Sequence, residues 1–420
     1  MKKHKQKFYH FVIAGAGPVG LTAGITAARL GHKVIIIEKG KIAGPRPRGE
    51  SFRKNAFLMD LLGKDFFDKD CFTMGGGLVF HSPGAKKSAR KPGKGKGELC
   101  FFEWRTFIDR LVGLAKDAGV EIKYNSKVLK PIINDRKICI GLEYKAGNNR
   151  ICQAIGNTVL ACDGYKSTIG KYYRVDYDQM DCPMVKCLAE EANIDIKKTP
   201  DLQFYLIGNG DLPYAGDFPP GVVYGFPIGG KKMELGLMLR MKQAHLMKTV
   251  KIPDPKTVMN VWKILKKEYP GFSDYFKGAK IIHEEYTGLS NTGLVDNFVP
   301  GKGVVLMGDS AGFIDPFGSS GLYSGMAMAD FWVRMLSKKL KKLSENMPED
   351  VLIDKFNEAL WDGNNIKTYV NGFKQADIYK KISKSYALTN KFEWYIYNHL
   401  KTSDRINRWW NVISLMLKLA

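Results

Sequence analysis

Residues 11–38 read FVIAGAGPVGLTAGITAARLGHKVIIIE, and this stretch decides the fold. A short apolar segment at 11–14 precedes glycines at 15, 17 and 20, and an alanine-rich segment with helical spacing then ends at Gly31. A second apolar segment, 33–38, closes with Glu38. A strand, a glycine turn, a helix, a strand and an acid within about 30 residues indicate a dinucleotide-binding unit. We therefore expect its wholly apolar strands to lie inside a parallel sheet.

The glycines of this motif have separate physical roles. Gly15 permits a tight turn, Gly17 lets the backbone approach a pyrophosphate, and Gly20 allows close packing of helix on strand. The helix start presents N–H groups and a positive dipole end to the phosphates. Glu38 is placed to accept hydrogen bonds from ribose hydroxyls.

A second glycine-rich segment, Met307–Gly325, lies far along the chain and reads MGDSAGFIDPFGSSGLYSG. Its first turn carries an acid, Asp309. A dinucleotide that ends in a ribityl chain and a flavin needs a second backbone site for its far half. The separation of the two motifs therefore predicts FAD as the cofactor.

The composition limits the classes of protein that remain. The chain has 420 residues, 45% of them apolar and 25% charged, which is ordinary for a globular protein with two packed domains. The formal net charge of +23 fits a solvated lysine-rich surface, contact with an anionic membrane or an acidic substrate. No recognised nucleic-acid-binding motif accompanies this charge, so we expect no nucleic-acid partner.

Cysteine usage and hydropathy bear on the compartment. Seven scattered cysteines without a CxxC pair or zinc-type spacing predict a reducing compartment and no metal site. No stretch reaches the roughly 20 apolar residues that span a bilayer. We expect a cytoplasmic protein, and peripheral contact with an anionic membrane stays open.

The expected fold class is α/β: a Rossmann-type FAD-binding domain interleaved with an antiparallel β-sheet substrate domain and followed by a helical C-terminal region. The predicted limits are 1–181 and 288–340 for the FAD-binding domain, 182–287 for the substrate domain and 341–420 for the helical region. Strand patterns at 185–191, 202–207, 222–227 and 232–239 define the second domain. Its sheet is expected to cover the substrate, because ligand sites favour domain interfaces.

Three segments allow two interpretations each. The loop at 44–51, GPRPRGES, could clamp a phosphate or line a flavin through Arg48 and Glu50, or could be a surface turn. Arg105, at a predicted helix start, could be an exposed charge or could bind a cofactor phosphate. The tail at 409–420, WWNVISLMLKLA, has a broad apolar helical face that could lie in a membrane interface or pack onto the protein body.

The combination of GAGPVG, Glu38, CDGYKS at 162–167 and MGDSAGFIDPFGSSGLYSGMAMA from 307 resembles the flavoprotein superfamily with the para-hydroxybenzoate hydroxylase fold. The resemblance implies that Asp163 and Gly164 lie near the dinucleotide and that Asp309 binds its ribityl or pyrophosphate region. It also implies that the backbone at Gly321 and Leu322 meets the pyrimidine edge of the flavin, where a helix start would stabilise negative charge on the reduced ring. The full set of expected cofactor-binding residues is Gly15, Gly17, Pro18, Gly20, Glu38, Lys39, Arg48, Gly49, Arg105, Asp163, Gly164, Gly308, Asp309, Pro316, Ser320, Gly321 and Leu322.

Two branches of the superfamily are similar to different parts of the chain. The segments WRTFIDRL from Trp104 and YGFP from Tyr224, followed by Glu234-Leu-Gly236, resemble the geranylgeranyl reductases and their lipid-pocket motif. Gly225 stands where that motif has tryptophan, and the cysteine of the branch's Pro-x-x-Cys-Gly loop is absent near 46–49. The pattern Phe-x-x-Pro-x-x-Ser-x-Gly at 313–321 resembles the flavin-dependent halogenases. Their Trp-x-Trp-x-Ile-Pro motif is missing, and Met74 stands near the expected position of their catalytic lysine.

We therefore expect an FAD-dependent oxidoreductase that acts on an apolar, isoprenoid- or lipid-like substrate under a sheet that includes Tyr224 and Phe226. Glu50 is the candidate polar residue on the substrate side, and no catalytic acid or base is assigned. An external electron donor, a reduced nicotinamide, a flavin or ferredoxin, would supply the electrons. The alternatives are a halogenase or monooxygenase of an aromatic substrate, and a non-catalytic flavoprotein attached to a membrane.

Overall fold

The structure is a computed structural model that describes residues 7–68, 72–75, 77–92, 99–175, 181–195, 201–207, 221–239, 253–290, 294–316, 321–347, 353–399 and 403–419. The chain forms two compact units, each made of several segments. Unit 1 comprises residues 1–45, 108–178 and 293–386, and unit 2 comprises residues 46–107, 179–292 and 387–420. Within the described residues, no helix combines the length and apolarity that crossing a membrane requires.

Unit 1 is built on a mixed sheet whose parallel part contains the dinucleotide motif. Its strands, in spatial order, are β8 (Glu121–Lys123), β2 (Val34–Ile37), β1 (Phe8–Ala14), β11 (Ile151–Ala161), β10 (Cys139–Lys145) and β9 (Lys127–Ile133), and β17 (Val304–Leu306) also pairs with β11. β1 runs parallel to β2 and β11, while β10 and β11 form an antiparallel hairpin. The predicted strand–helix–strand unit is confirmed, because α1 (Pro18–Arg29) connects β1 to β2.

Unit 1 contains further helices besides α1. They are α3 (Trp104–Asp117), α4 (Thr168–Tyr172), α6 (Leu322–Asn346), α7 (Ile353–Leu360), α8 (Gly363–Gln375) and α9 (Asp377–His399), of which α3 begins and α9 ends in unit 2. The buried side chain of Trp361 donates from Nε1 to the carbonyl oxygen of Asn157, which joins the end of α7 to β11. The predicted helical character of the C-terminal region is confirmed.

Unit 2 contains a seven-stranded sheet in the order β16 (Lys280–Ser290), β12 (Asp181–Glu190), β15 (Met233–Leu239), β14 (Gly221–Pro227), β13 (Leu202–Ile207), β5 (Gly77–His81) and β6 (Ser88–Pro92). A three-stranded sheet of β3 (Gly49–Arg53), β7 (Leu99–Glu103) and β4 (Phe72–Gly75) accompanies it. Helices α2 (Ala56–Leu62), α5 (Pro255–Glu268), α10 (Ser403–Arg408) and α11 (Trp410–Leu419) complete the unit.

The observed division differs from the predicted domain limits, which group residues 46–107 with the FAD-binding domain. The physical reason is strand pairing: β5 joins the large sheet by running parallel to β13. The sheet is therefore mixed at this edge, whereas the strands from β13 to β16 pair antiparallel as predicted.

One face of the large sheet is sealed by α5. Asp254 caps this helix by accepting hydrogen bonds from the backbone N–H groups of Lys256 and Thr257, and Pro255 occupies its first turn. The buried residues recur at helical spacing as Val258, Val261, Trp262 and Leu265. These side chains pack on Val185, Cys187, Val223, Leu235 and Leu237 of the sheet.

Replacing Trp262 tests this packing. Its ring is fully buried, and its Nε1 donates to Glu284 Oε2 at 2.8 Å. We expect Trp262→Ala to lower the free energy of unfolding by about 3–5 kcal/mol, because a large cavity and a lost hydrogen bond add together. The exposed neighbour Lys263 supplies the control: Lys263→Ala should change it by less than about 0.5 kcal/mol in the same denaturant titration. Equal effects of the two substitutions would contradict the packing described here.

Candidate functional site

The first glycine motif closes through backbone contacts that leave no room for side chains. A Cβ built on Gly15, whose φ is +95°, would lie 2.5 Å from the carbonyl oxygen of Cys162. A Cβ on Gly20 would lie 2.0 Å from the carbonyl oxygen of Gly15. Gly17 differs, since a Cβ there would meet nothing within 4 Å. Gly15 and Gly20 are thus required by the fold, while Gly17 faces open space at the start of α1.

The start of α1 has the properties of an anion site. Gly17 is its N-cap residue, no side chain caps the helix, Pro18 occupies the first turn and no acidic residue lies in that turn. The first N–H groups of a helix lack partners inside the helix and carry its positive dipole end. This arrangement suits a pyrophosphate group.

Glu38 lies beside this turn at the end of β2 and is buried. Its Oε2 accepts a hydrogen bond from the backbone N–H of Ala16 at 2.7 Å, and its Oε1 accepts one from Gly40 at 2.7 Å. These bonds hold the carboxylate against the glycine loop, and its oxygens retain acceptor capacity for further donors. The adjacent Lys39 is exposed.

The second glycine motif packs directly onto the first. A Cβ on Gly308 would lie 2.8 Å from Val19 Cγ2, and one on Gly325 would lie 2.7 Å from the same atom. Farther along the two helices, Thr26 Oγ1 donates to Asp330 Oδ1 at 2.8 Å. α1 and α6 therefore lie against each other, and motifs that are distant in sequence become neighbours.

Asp309 lies at the second helix start of the glycine motifs, which begins after Gly321. A Cβ on Gly321 would lie 2.8 Å from Asp309 Oδ1, which places this carboxylate against the N-cap residue of α6. No side chain caps α6 and no acid lies in its first turn, which begins at Leu322. Pro316 is buried before this turn, and Ser320 lies outside the described residues.

Two side chains of α9, here called the brace, hydrogen bond with the loop that follows β17. Tyr386 donates from its hydroxyl to the carbonyl oxygen of Gly312 at 3.1 Å, and Ser385 Oγ donates to Asp315 Oδ1 at 2.6 Å. The sequence analysis missed both residues, because nothing local in the helix pattern marks a contact with a loop 70 residues earlier.

Asp163 of the CDGYKS segment is engaged in hydrogen bonds with the residues that follow it. Its Oδ1 accepts from Ser167 Oγ at 2.6 Å, and its Oδ2 accepts from the backbone N–H of Thr168 at 2.7 Å, so it holds the start of α4. Burial raises the pKa of Asp163, and the hydrogen bonds from Ser167 and the backbone offset only part of that effect. Gly164 has a φ of +75° and open space around its Cα.

Unit 2 contains a cluster of charges, here called the ion cluster: Arg48, Glu50 and Lys186. Glu50 Oε1 lies 2.9 Å from Arg48 Nε and 3.1 Å from Lys186 Nζ. Burial raises the pKa of Glu50, but the Lys186 ammonium and the Arg48 guanidinium together outweigh burial and hold the pKa below its ordinary value. The Arg48 guanidinium also stacks 3.7 Å from the centre of the Trp104 ring. Arg105, next to Trp104 in the first turn of α3, is half-buried.

Glu234 lies next to the ion cluster, and the sequence analysis did not assign it. It is 1% exposed, and its Oε2 accepts a hydrogen bond from the backbone N–H of Gly49 at 2.8 Å. Burial raises the pKa of Glu234 to about 8, against the opposing effects of Lys186 and the Gly49 N–H. The available signal was a lone acid between Met233 and Leu235 in an apolar strand.

Apart from Glu234 and Lys186, this face of the sheet is apolar. The predicted residues Tyr224 and Phe226 lie on it, with their rings stacked 6.2 Å apart. Phe101 of β7 stacks on Phe226 at 5.0 Å. The remaining members are Leu99, Met184, Leu188, Val222, Ile228 and Met238, with Leu78, Leu202, Phe204 and Leu206 partly buried beside them.

Solved structures similar to this chain include flavin-dependent enzymes. No protein-family model matches the chain. A digeranylgeranylglycerophospholipid reductase 2 from Methanopyrus kandleri is 23% identical over 377 residues, 89% of this chain and 87% of that protein. A geranylgeranyl bacteriochlorophyll reductase-like protein from Thermoplasma acidophilum has a TM-score of 0.76 at 19% identity, covering 97% of this chain and 92% of its own. A triple mutant of the flavin-dependent brominase Bmp2 has a TM-score of 0.66 at 18% identity, covering 97% and 94%.

The chain is an FAD-dependent oxidoreductase. Its fold is similar to those of the geranylgeranyl bacteriochlorophyll reductase-like protein and the flavin-dependent brominase. The residues present in unit 1 fit the cofactor, because the uncapped start of α1, which has no acid in its first turn, suits its phosphates, and the buried Glu38 carboxylate at the glycine loop suits its ribose.

A pair of glycine substitutions separates folding from cofactor binding in this oxidoreductase. Gly17 has a φ of −75°, which alanine adopts without strain, so Gly17→Ala should leave the stability of the cofactor-free protein unchanged. We expect it to weaken FAD binding about tenfold, or about 1.4 kcal/mol, because the methyl group enters the space where a pyrophosphate approaches. FAD affinity is measured by fluorescence titration.

Gly20→Ala is the matched comparison. Its Cβ would overlap the Gly15 carbonyl, so it should destabilise the cofactor-free protein itself, by about 1–3 kcal/mol. A Gly17→Ala protein that binds FAD as tightly as the wild type would contradict the placement of the phosphates at this helix start.

Proposed function

We propose that this oxidoreductase reduces carbon–carbon double bonds in an isoprenoid-type lipid. The observation that carries the proposal is the apolar cluster on one face of the unit 2 sheet, in which Tyr224, Phe226 and Met238 are buried with few polar groups beside them. Side chains of this kind would suit a long hydrocarbon chain, because its affinity comes from apolar contact rather than from specific hydrogen bonds. The names of the relatives, digeranylgeranylglycerophospholipid reductases, agree with this class of substrate.

We assign the cofactor contacts by part of the dinucleotide. Gly15, Gly17, Pro18 and Gly20 would hold the pyrophosphate at α1, and Glu38 would accept hydrogen bonds from the adenosine ribose. Asp309 would bind the ribityl region, while the N–H groups after Gly321 and Leu322 would face the flavin. When bound, FAD supplies the transferable hydride. Gly49, Gly164, Gly308, Pro316 and Asp163 would shape the surrounding backbone.

The basic residues outside the two glycine motifs would have separate roles. Lys39, Arg48 and Arg105 remain proposed cofactor contacts. Arg48 is committed in part to Glu50 and Trp104, so it would act from a fixed position rather than as a mobile side chain. Glu50 would orient Arg48 and Lys186 on the substrate side, and Lys186 is 16% exposed.

An external donor must return the cofactor to its reduced form after each turnover. A reduced nicotinamide, a flavin or ferredoxin would serve, and the basic surface of the chain, with a net charge of +23, favours an acidic protein donor such as ferredoxin.

Turnover tests the proposal against its main alternative, a halogenase. With chemically reduced FAD, no oxygen and an unsaturated digeranylgeranyl phospholipid, we expect products heavier by two hydrogens for each reduced bond, measured by mass spectrometry. The same protein given oxygen, bromide and an electron-rich aromatic compound should yield no brominated product. Bromination without any lipid reduction would overturn the proposal in favour of the alternative that the brominase likeness suggests.

We further propose that α11 attaches the enzyme to an anionic membrane. On one side of α10 and α11, the side chains of Ile406, Trp410 and Ile413 are buried. On the same helices, Asn407 Oδ1 accepts a hydrogen bond from Ser82 Oγ. The other side exposes the side chains of Trp409, Val412 and Leu415 by 55%, 42% and 58%. Exposed Arg408 adjoins this stripe, and tryptophan favours the lipid interface while arginine favours anionic headgroups.

Vesicle sedimentation tests this attachment. The triple substitution Trp409→Ser, Val412→Ser and Leu415→Ser should reduce binding to phosphatidylserine-containing vesicles roughly tenfold or more, because these apolar side chains no longer enter the interface. The triple substitution Ile151→Ser, Tyr172→Ser and Leu388→Ser removes apolar side chains of similar exposure elsewhere and should bind as the wild type does. Equal binding by both variants would rule out α11 as the attachment site.

A further inference from the structure

Glu234 is an acid on the side of the unit 2 sheet that carries a buried apolar cluster. Side chains alternate along β15, so that Met233, Leu235 and Leu237 pack toward α5 while Glu234 and Met238 face the other side with Tyr224. Glu234 is 1% exposed there. A buried acid on such a face needs a physical reason, since burial of an unpaired charge is costly.

The contacts of its carboxyl group are incomplete. Oε2 accepts the hydrogen bond from Gly49, but Oε1 is buried without a hydrogen-bond partner among the described residues. The two neighbouring cations, Arg48 and Lys186, both pair with Glu50. Within the described chain, Glu234 therefore has one hydrogen bond and no ion pair, and the neutral acid is the form that burial favours.

We propose that Glu234 is the proton donor that completes the reduction of the substrate double bond. The proposal rests on the proposed function. The hydride that one carbon of the double bond gains would be supplied by the reduced cofactor, which is the two-electron reductant, and the other carbon would receive the Glu234 proton. The π bond and the Glu234 O–H bond break, and two C–H bonds form. The carboxylate that remains takes up a proton from solvent before the next turnover.

The surroundings support both protonation states that this role requires. The pKa of Glu234, about 8, lies close to neutral pH, where a group can both hold and release a proton. The charged groups that face it are Lys186, Arg48 and Glu50, two cations against one anion, so the carboxylate left after proton transfer balances the charge. Burial raises the pKa of the neighbouring Tyr224 well above its ordinary value, and its hydroxyl stays neutral throughout.

A single-turnover experiment with the holoenzyme tests the assignment. In Glu234→Gln the side chain keeps its shape and can still accept the Gly49 hydrogen bond, but it has no acidic proton. With FAD reduced beforehand and oxygen excluded, we expect lipid reduction to slow roughly 100-fold or more, while FAD affinity and the rate of cofactor reduction by dithionite stay unchanged. Glu190→Gln, at the partly exposed end of β12, is the control and should retain the wild-type rate.

The wild-type protein gives an independent readout. The single-turnover rate should fall as pH rises through about 8, since only the protonated form donates, and this fall should be absent from the residual rate of Glu234→Gln. Infrared difference spectra of the oxidised holoenzyme should show a protonated-carboxyl band at pH 6.5 that disappears with the same midpoint, that Glu190→Gln retains and that Glu234→Gln lacks.

The outcomes separate this inference from the proposed function. If the wild type reduces no isoprenoid double bond, the proposed function fails whatever the infrared band shows. If the wild type turns over and Glu234→Gln matches its rate and pH profile, the proton-donor assignment is overturned and the function stands. The absence of the titrating infrared band in the wild type overturns it equally, and this result does not depend on whether the variant folds.

Discussion

Two close backbone approaches at the glycine turn of unit 1 decide what can be built around it. A Cβ on Gly20 would overlap the carbonyl oxygen of Gly15. A Cβ on Gly15 would in turn overlap the carbonyl oxygen of Cys162, which follows β11. Because these contacts fix where α1 leaves the sheet, Val19 meets Gly308 and Gly325. The two helix starts that suit FAD are therefore brought together by missing side chains, not by a specific bond.

In unit 2 the corresponding constraint is strand register. Side chains alternate across each strand, so a shift of one residue in β15 would turn Glu234 into the α5 side and Leu235 toward the ion cluster. The pairing of Glu234 with Phe226 and of Lys186 with Gly236 fixes both charges on the Tyr224 face. The hydrogen bond from Gly49 to Glu234 then ties the start of β3, and with it Arg48 and Glu50, to the same face.

How far the sequence predicts this protein depends on the range of each interaction. The glycine turn, the α1 unit, the strands from β12 to β15 and Glu38 are predictable, because their signals lie within about 30 residues and follow from backbone sterics and apolar period. The brace from Ser385 and Tyr386, and the placement of residues 46–107 beside β13, depend on contacts between distant segments. The burial of Glu234 is also not predictable, because an acid within a strand pattern indicates a solvent-exposed position. Its hydrogen-bond partner, Gly49, is distant in the sequence.

The ion cluster shows how a buried acid is tolerated without being neutralised permanently. Were Lys186 paired with Glu234 alone, the pair would lower the pKa of that carboxyl and fix it as an anion. Glu50 prevents this, because it holds both Lys186 and Arg48 within 3.1 Å and leaves Glu234 with the weaker, longer-range part of their attraction. Glu50, which is partly exposed, stays ionised and the fully buried Glu234 can take up or release a proton. Two carboxyl groups with the same cationic neighbours thus acquire opposite pKa shifts, and the difference arises from burial and pairing rather than from residue type.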